Sequence, residues 1–149
     1  MKALTIIQPW ASLIAAGAKT IETRSWSTRY RGPLAIHAAS GRPTSAYFDA
    51  QRDLARRHMG VEADQLPSGQ VVAVCMLFRC LPIDDPSVRQ LLARRPPERP
   101  LGDYSPNRWA WVLSDIHRLD APIPATGHQR LWKWTPPDGL LLTWTTHHG

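Results

Sequence analysis

Cysteine is scarce in this chain, with Cys75 and Cys80 the two examples in 149 residues. Both fall in one apolar run, QVVAVCMLFRCL. On an extended segment, five residues at about 3.3 Å each hold them roughly 16 Å apart, too far to bridge one another. Two thiols with no CxxC and no neighbouring histidine pattern read as small core residues of a protein kept in a reducing compartment. No apolar run approaches the roughly 20 residues of a membrane span, and MKALTIIQPW lacks the longer apolar core and small-residue cleavage site of a secretory signal. A cytoplasmic location with no membrane association is expected. Negative charge is also in deficit. Twelve acidic residues face eighteen Lys and Arg, leaving a net charge of +6, which favours an anionic partner such as a nucleotide or RNA.

Several chemistries lack their signatures. The six histidines are scattered at 37, 58, 117, 128, 147 and 148, and none forms HxH, HExxH or a His/Cys cluster, so no metal site and no cofactor is expected. There is no GxSxG elbow, no phosphate-binding glycine loop and no βαβ rhythm. Internal repeats and linkers are missing too. A chain of 149 residues is expected to bury about two-thirds of its surface, enough for a single domain spanning 1–149.

Proline, by contrast, is plentiful: fourteen prolines and nine glycines cut the chain into short pieces. KALTII reads as a first strand that stops at Gln8-Pro9. WASLIAAG follows as a short helix capped by Gly17. Thr20 to Arg24 is expected to be extended, because Thr20, Ile21 and Thr23 are β-branched. Pro33 to Ala38, Gln70 to Leu81, Trp109 to Leu113, Leu131 to Trp134 and Leu140 to Thr145 read as further strands. A helix is expected from Thr44 or Ser45 to Gly60, and a shorter one after Asp84-Asp85-Pro86 that reaches Arg95. RRPPERPLGDYSPNR then reads as a long proline-rich loop, a kind of segment that is often functional. The pattern predicts an α+β fold around a mostly antiparallel, partly closed sheet, in the form of a small barrel with two or three short helices.

The stretch GAKTIETR, residues 17 to 24, places a lysine, a glutamate and an arginine directly after a helix stop. Strand alternation puts Glu22 and Arg24 on one face and Ile21 and Thr23 on the other, with Lys19 in the turn before them. A lysine held near a carboxylate and an arginine can carry a proton or clamp a developing oxyanion; a solvated turn is the competing explanation, and the commoner one for charged residues after a helix end. Trp10 and Trp26 bracket the stretch and offer flat apolar walls on which a base can stack. Together with Gln8 and Pro9 they are the candidate substrate-binding residues.

QPWASLIAAGAKTIETR, RGPLAIHAA, NRWAWVLSD and APIPATGHQRLWKW, in that order and over nearly the whole chain, resemble the ASCH domain family. The hallmark GxKxxExR stands here as Gly17, Lys19, Glu22 and Arg24. The resemblance implies a PUA-like β-barrel whose hallmark lines a cleft. Some members resemble RNA-binding modules, some are described as ribonucleases, and some small bacterial members are amidohydrolases that remove the acyl group from N4-acetylcytidine with a Thr-Lys-Glu arrangement. That group's lysine maps onto Lys19. Its threonine falls on Glu22, so a threonine nucleophile is not carried over, and Thr20 and Thr23 do not restore it by position. No motif places that group's later glutamate, for which Glu98 is the candidate. A longer, human-type branch reads QP, GxKTxETR, an xHxA strand and a late PIPxxG segment, and this chain looks closer to it. The resemblance thus implies a metal-independent amidohydrolase of N4-acylated cytosine nucleosides or bases. In that reading Glu22 activates water, Lys19 stabilises the oxyanion or protonates N4, and Arg24 holds Glu22. The alternatives are an RNA-binding module without catalysis and a ribonuclease. Arg29, Arg31, Arg52, Arg56, Arg57, Arg94, Arg95 and Arg99 are dispersed rather than gathered in one run. A small nucleoside is therefore the expected partner, with only weak RNA binding.

Overall fold

The computed structural model describes residues 1–41 and 45–140. Strand β1 (Lys2–Ile6) leads into helix α1 (Trp10–Ala15), then into strands β2 (Ile21–Arg24) and β3 (Gly32–Ala38). Helix α2 (Ser45–Met59) precedes the long strand β4 (Gln70–Pro82), and α3 (Pro86–Arg94) precedes a 3-10 segment at Pro96–Leu101. Strands β5 (Trp109–Pro124) and β6 (Leu131–Lys133) complete the sheet. The strand order is β2-β5-β4-β3-β1-β6. Every described pairing is antiparallel except β1 with β3, which run parallel because α1 and β2 intervene between them.

The sheet curls because its longest strands are irregular. The β4–β5 register shifts between Val71 and Ala73, between Val74 and Met76, and between Leu77 and Arg79, and each irregularity bends and twists the ladder. The concave side encloses Leu4, Ile6, Leu34, Ile36, Leu77 and Trp111, with Ile14 of α1 plugging one end. The convex side is covered in part by Trp132 and Trp134 packed on Ala3, Ala35, Val71 and Val74. With both faces covered, β4 is a near-continuous apolar run without the alternation of a half-exposed strand. Cys75 lies in this wall, wholly buried. Burial pushes its thiol up to about 12, and both cysteines are free.

The half-barrel agrees with the fold read from the sequence, and its departures have local causes. The strand beginning at Trp109 runs on to Pro124, because the bulges let one strand turn the corner at which an ideal one would stop. Within the proline-rich loop, Pro96–Leu101 form a 3-10 segment that buries Glu98 and Leu101, while residues 102–108 are irregular as expected. Of the strand expected at Leu140 to Thr145, Leu140 lies in a helical turn, its N–H donating to Pro137 O at 3.0 Å; residues 141–145 fall outside the described residues, as do Trp144, His147 and His148. Among the described residues no helix is long and apolar enough to cross a membrane.

His37 on β3 is a satisfied core residue. Its Nε2–H donates to Ala125 O at 2.7 Å, and Nδ1 lies 3.1 Å from Thr5 Oγ1, which also accepts from Trp132 Nε1 at 3.1 Å. The chain after β5 closes over this ring at Gly127, where a Cβ would stand 2.8 Å from both His37 Cε1 and Thr5 Oγ1. Gly127→Ala is therefore expected to cost about 1–3 kcal/mol by overpacking. Gly41→Ala, at a position with open space around it, should stay within about 0.5 kcal/mol. Urea denaturation of the two variants checks the contrast.

Candidate functional site

Helix α1 stops at Gly17, whose φ of 79° lets the chain reverse. The N–H groups of Ala18 and Lys19 then bond back to Leu13 O at 3.1 and 3.2 Å, satisfying a helix-end carbonyl. The chain enters β2 as an edge strand paired with β5, from Ile21 opposite Val112 to Arg24 opposite Trp109. Alternation along β2 sends Ile21 toward Val88 and Leu92 of α3 and turns Glu22 and Arg24 toward a cleft of about 380 Å³.

Lys19 is the central feature of that cleft. Its side chain is 1 % exposed and its Nζ lies 3.5 Å from Glu22 Oε1. The same ammonium donates to Leu101 O at 2.5 Å and sits 5.6 Å from the centre of the Trp10 ring. The other carboxylate oxygen of Glu22 lies 3.6 Å from Arg24 Nε. Arg24 in turn donates from Nη2 to Thr5 O at 2.8 Å, so this side chain spans from β2 to β1. Burial pushes the Lys19 pKa below its ordinary value, and the negative charges of Glu22 and Glu98 oppose that shift. A solvated turn is ruled out by this geometry: two of the three charged groups are buried. An ammonium so placed has one carboxylate to exchange a proton with and one side turned toward the cleft.

A model of the ASCH domain family matches residues 4–121. The chain belongs to the ASCH domain family. It is similar to Activating signal cointegrator 1 of Mus musculus and of Homo sapiens, with 28% and 27% identity over 133 residues. That match covers 87% of this chain but only 22% of the cointegrators. The fold matches the crystal structure of ASCH from Zymomonas mobilis with a TM-score of 0.54 at 16% identity, over 97% of this chain and 93% of that one. A point variant of the same bacterial protein gives the same TM-score over 96% of its chain.

The ASCH hallmark is held by a strap from the far end of the sequence, residues 95–108. Glu98 takes the N–H groups of Thr20 and Ile21 on Oε1, at 2.7 and 3.0 Å, and the Thr20 hydroxyl on Oε2 at 3.0 Å. Its lone pairs are thus spent on the backbone behind the cleft. Glu98 positions the hallmark strand and does not line the cleft, so it is not placed as a second reacting carboxylate. Arg95 donates to Gly17 O at 3.0 Å, and Asp103 N–H donates to Thr23 Oγ1 at 3.0 Å. At Gly102 a Cβ would meet the Tyr104 ring at 2.8 Å and the Thr23 methyl at 3.4 Å; the strap crosses there because glycine has none.

The other sequence candidates divide. Trp10 lines the cleft beside Lys19. Pro9 stands at the start of α1, and Gln8 bonds to the Ser12 backbone and hydroxyl and to Pro67 O, so it fastens the helix and takes no part in lining the cleft. Trp26 packs edge-on against Trp111 at 4.8 Å, with the Arg130 guanidinium 5.0 Å from its ring, and is likewise absent from the cleft wall. Ile7, 55 % exposed at the rim, and Leu101, Asp103 and Arg108 were not singled out by the sequence reading. For Leu101, Asp103 and Arg108 the one available signal is that they lie within the proline-rich stretch 94–108; Ile7 carries none. Among the described residues no group of three His, Cys, Asp or Glu side chains is placed to hold a metal.

The buried pair makes a pH-dependent prediction. Lys19 has a folded pKa below its unfolded one, so the unfolded chain binds more protons between the two values and stability rises with pH in that window. Glu22→Gln removes the charge that holds Lys19 protonated and moves the folded pKa further down. The variant is expected to lose about 3 kcal/mol at pH 7, where the buried ammonium has lost its nearest compensating charge, and to lose less at pH 9, as Lys19 sheds its proton more readily. Urea titrations at the two pH values measure this.

Proposed function

We propose that this ASCH domain is a metal-independent amidohydrolase that removes the acyl group from N4-acylated cytosine nucleosides or bases, acting in the cytoplasm. The observation that carries the reading is the Lys19 ammonium, nearly excluded from water on the cleft wall beside Glu22. A lysine that only grips a phosphate backbone works best hydrated and exposed. A buried one whose pKa is pushed down is suited to acid–base chemistry. The cleft volume of about 380 Å³ lies at the small end of ligand pockets and suits one nucleoside. Trp10 and Ile7 supply its apolar wall.

In this mechanism Glu22 takes a proton from a water molecule as the water oxygen attacks the acyl carbon. The carbonyl oxygen becomes an oxyanion stabilised by the Lys19 ammonium. Lys19 then gives a proton to N4 as the carbon–nitrogen bond breaks, releasing the cytosine amine and a carboxylic acid. Arg24, 3.6 Å from its carboxylate, orients Glu22. Aminopyrimidine is a better leaving group than an alkylamine, so two positioned groups contributing about 10²–10⁴ each are adequate.

Purified protein incubated with N4-acetylcytidine is expected to release cytidine and acetate, and to keep doing so after dialysis against a chelator. Lys19→Met and Glu22→Gln should each lower kcat by about 10²–10⁴ at temperatures where circular dichroism shows them folded. Near wild-type kcat in both variants would show the reading to be wrong, and activity lost to the chelator and restored by Zn²⁺ or Mn²⁺ would favour a ribonuclease.

An RNA-binding module is the second reading, favoured by the net charge of +6. Binding that neutralises several phosphates weakens steeply with salt, whereas an uncharged nucleoside displaces no counterions. The KM for N4-acetylcytidine is expected to stay nearly flat between low and moderate salt, while fluorescence anisotropy shows only weak, salt-sensitive binding to single-stranded RNA. Tight RNA binding at physiological salt without turnover reverses the order of the two readings.

A further inference from the structure

Among the described residues, three buried side-chain polar atoms have no hydrogen-bond partner in the protein: Arg24 Nε, Arg108 Nε and the Tyr104 hydroxyl. Buried polar groups are nearly always paired, so three orphans in one neighbourhood need a cause. All three are donors. Burial, helped by the charges of Glu98 and Glu22, keeps the Tyr104 hydroxyl protonated. Arg24 and Arg108 both line the cleft. Tyr104 shares with Arg108 an adjoining hollow of about 480 Å³, which Trp109 and Asn107 also line.

The two arginines are balanced in charge but not in hydrogen bonds. Glu22 Oε2 stands 3.6 Å from Arg24 Nε, and Asp103 Oδ2 stands 3.5 Å from Arg108 Nε; both lie beyond good hydrogen-bond range. Each guanidinium is tethered by one Nη2, Arg24 to Thr5 O at 2.8 Å and Arg108 to Thr23 O at 3.2 Å. Thr23 and Arg24 are consecutive on β2, so both cations are fixed on one wall. They are 27 % and 25 % exposed, in contrast to Lys19, and so lie toward the mouth of the cleft. The charged side chains lining it are Lys19, Arg24 and Arg108 against Glu22 and Asp103, an excess of one positive charge.

We infer that the cleft takes its substrate as a nucleoside monophosphate, with the acylated base over Lys19 and Glu22 and the phosphate gripped by Arg24 and Arg108. The Nε atoms are themselves shut off from solvent, but the exposed part of each guanidinium, tethered at Nη2 alone, offers N–H donors to a phosphate oxygen, and the planar fork of arginine matches it. The hollow beyond Arg108 gives the sugar-phosphate end room that the cleft alone does not. This assignment rests on the proposed hydrolysis of N4-acylated cytosines for the base, but not for the phosphate, which can be tested apart from turnover.

Titration calorimetry with the product-like ligands cytidine and cytidine 5′- or 3′-monophosphate reads the phosphate grip directly. One monophosphate is expected to bind at least about tenfold more tightly than cytidine, as charge-assisted hydrogen bonds warrant. That ratio should fall several-fold in Arg108→Gln and be partly restored in Arg108→Lys, with each variant's fold verified by its melting temperature. Equal affinity for cytidine and both monophosphates in the wild type overturns the inference, as does a ratio unchanged in Arg108→Gln. A short RNA without terminal phosphates that binds more tightly than either monophosphate also overturns it, because the arginines then serve a chain. If the monophosphate preference holds but N4-acetylcytidine and its monophosphates are not hydrolysed, the phosphate grip stands and the hydrolase reading falls.

Discussion

An ammonium group held out of water dictates much of what surrounds it. Taking the charge of Lys19 from bulk solvent costs several kcal/mol even after relaxation, and the fold offsets this with the Leu101 carbonyl, the Glu22 carboxylate and the more distant charge of Glu98. Each compensating group has its own structural requirement. Leu101 reaches the ammonium only because the strap from Arg95 to Arg108 lies across the hallmark. That strap is pinned by Glu98 on the backbone of Thr20 and Ile21 and by Asp103 on Thr23. Glu22 is oriented by Arg24, and Arg24 by the Thr5 carbonyl on another strand. The interactions that draw the curled sheet together at this end are therefore the same ones that assemble the cleft.

The local grammar of the sequence carried most of the elements and half of the site. Proline after Gln8, glycine at 17 and β-branched residues from Thr20 are short-range signals, and they placed α1, its stop and β2 within a residue or two. Alternation correctly put Glu22 and Arg24 on one face. It could not tell whether that face met solvent or a cleft, because the answer lies with Leu101 and Glu98, about eighty residues away and on no shared period. The same blindness explains Gln8 and Trp26, which stand beside the hallmark in sequence but turn to Pro67 and Trp111. It explains Arg108 in the opposite sense: nothing near NRWAW marks it as facing the hallmark until β5 pairs with β2. The length of β5 was hidden because bulges leave no simple trace in hydrophobic alternation.

The segments AIHA and PIPATG, which strengthened the family resemblance, meet away from the cleft. His37 holds Ala125, and Gly127 packs against both His37 and Thr5. Thr5 is the link between that cluster and the cleft: its hydroxyl is fixed by His37 and Trp132 while its carbonyl receives Arg24. Strand β6 pairs with β1 only from Lys2 to Leu4, so the carbonyl of Thr5 lies past the end of that ladder, where a side chain can take it. A short β6 is thus a requirement of the site. A longer one would pair with Thr5 and leave Arg24, and through it Glu22, without an anchor.

The division of the cations follows the same logic. Lys19 is buried, where the proposed chemistry would gain from a pKa that can move, while Arg24 and Arg108 stay partly wet, where charge and geometry suffice. Arginine keeps its charge at any working pH, so it can hold Glu22 and Asp103 without competing for their protons. Exchanging the two residue types would fail at both places: an arginine beside Leu101 could not give up a proton, and a lysine at position 24 could not reach Glu22 and Thr5 O at once with a planar fork. On the proposed reading the cleft is a proton-transfer centre with an anion-facing rim, each built from the cation suited to it.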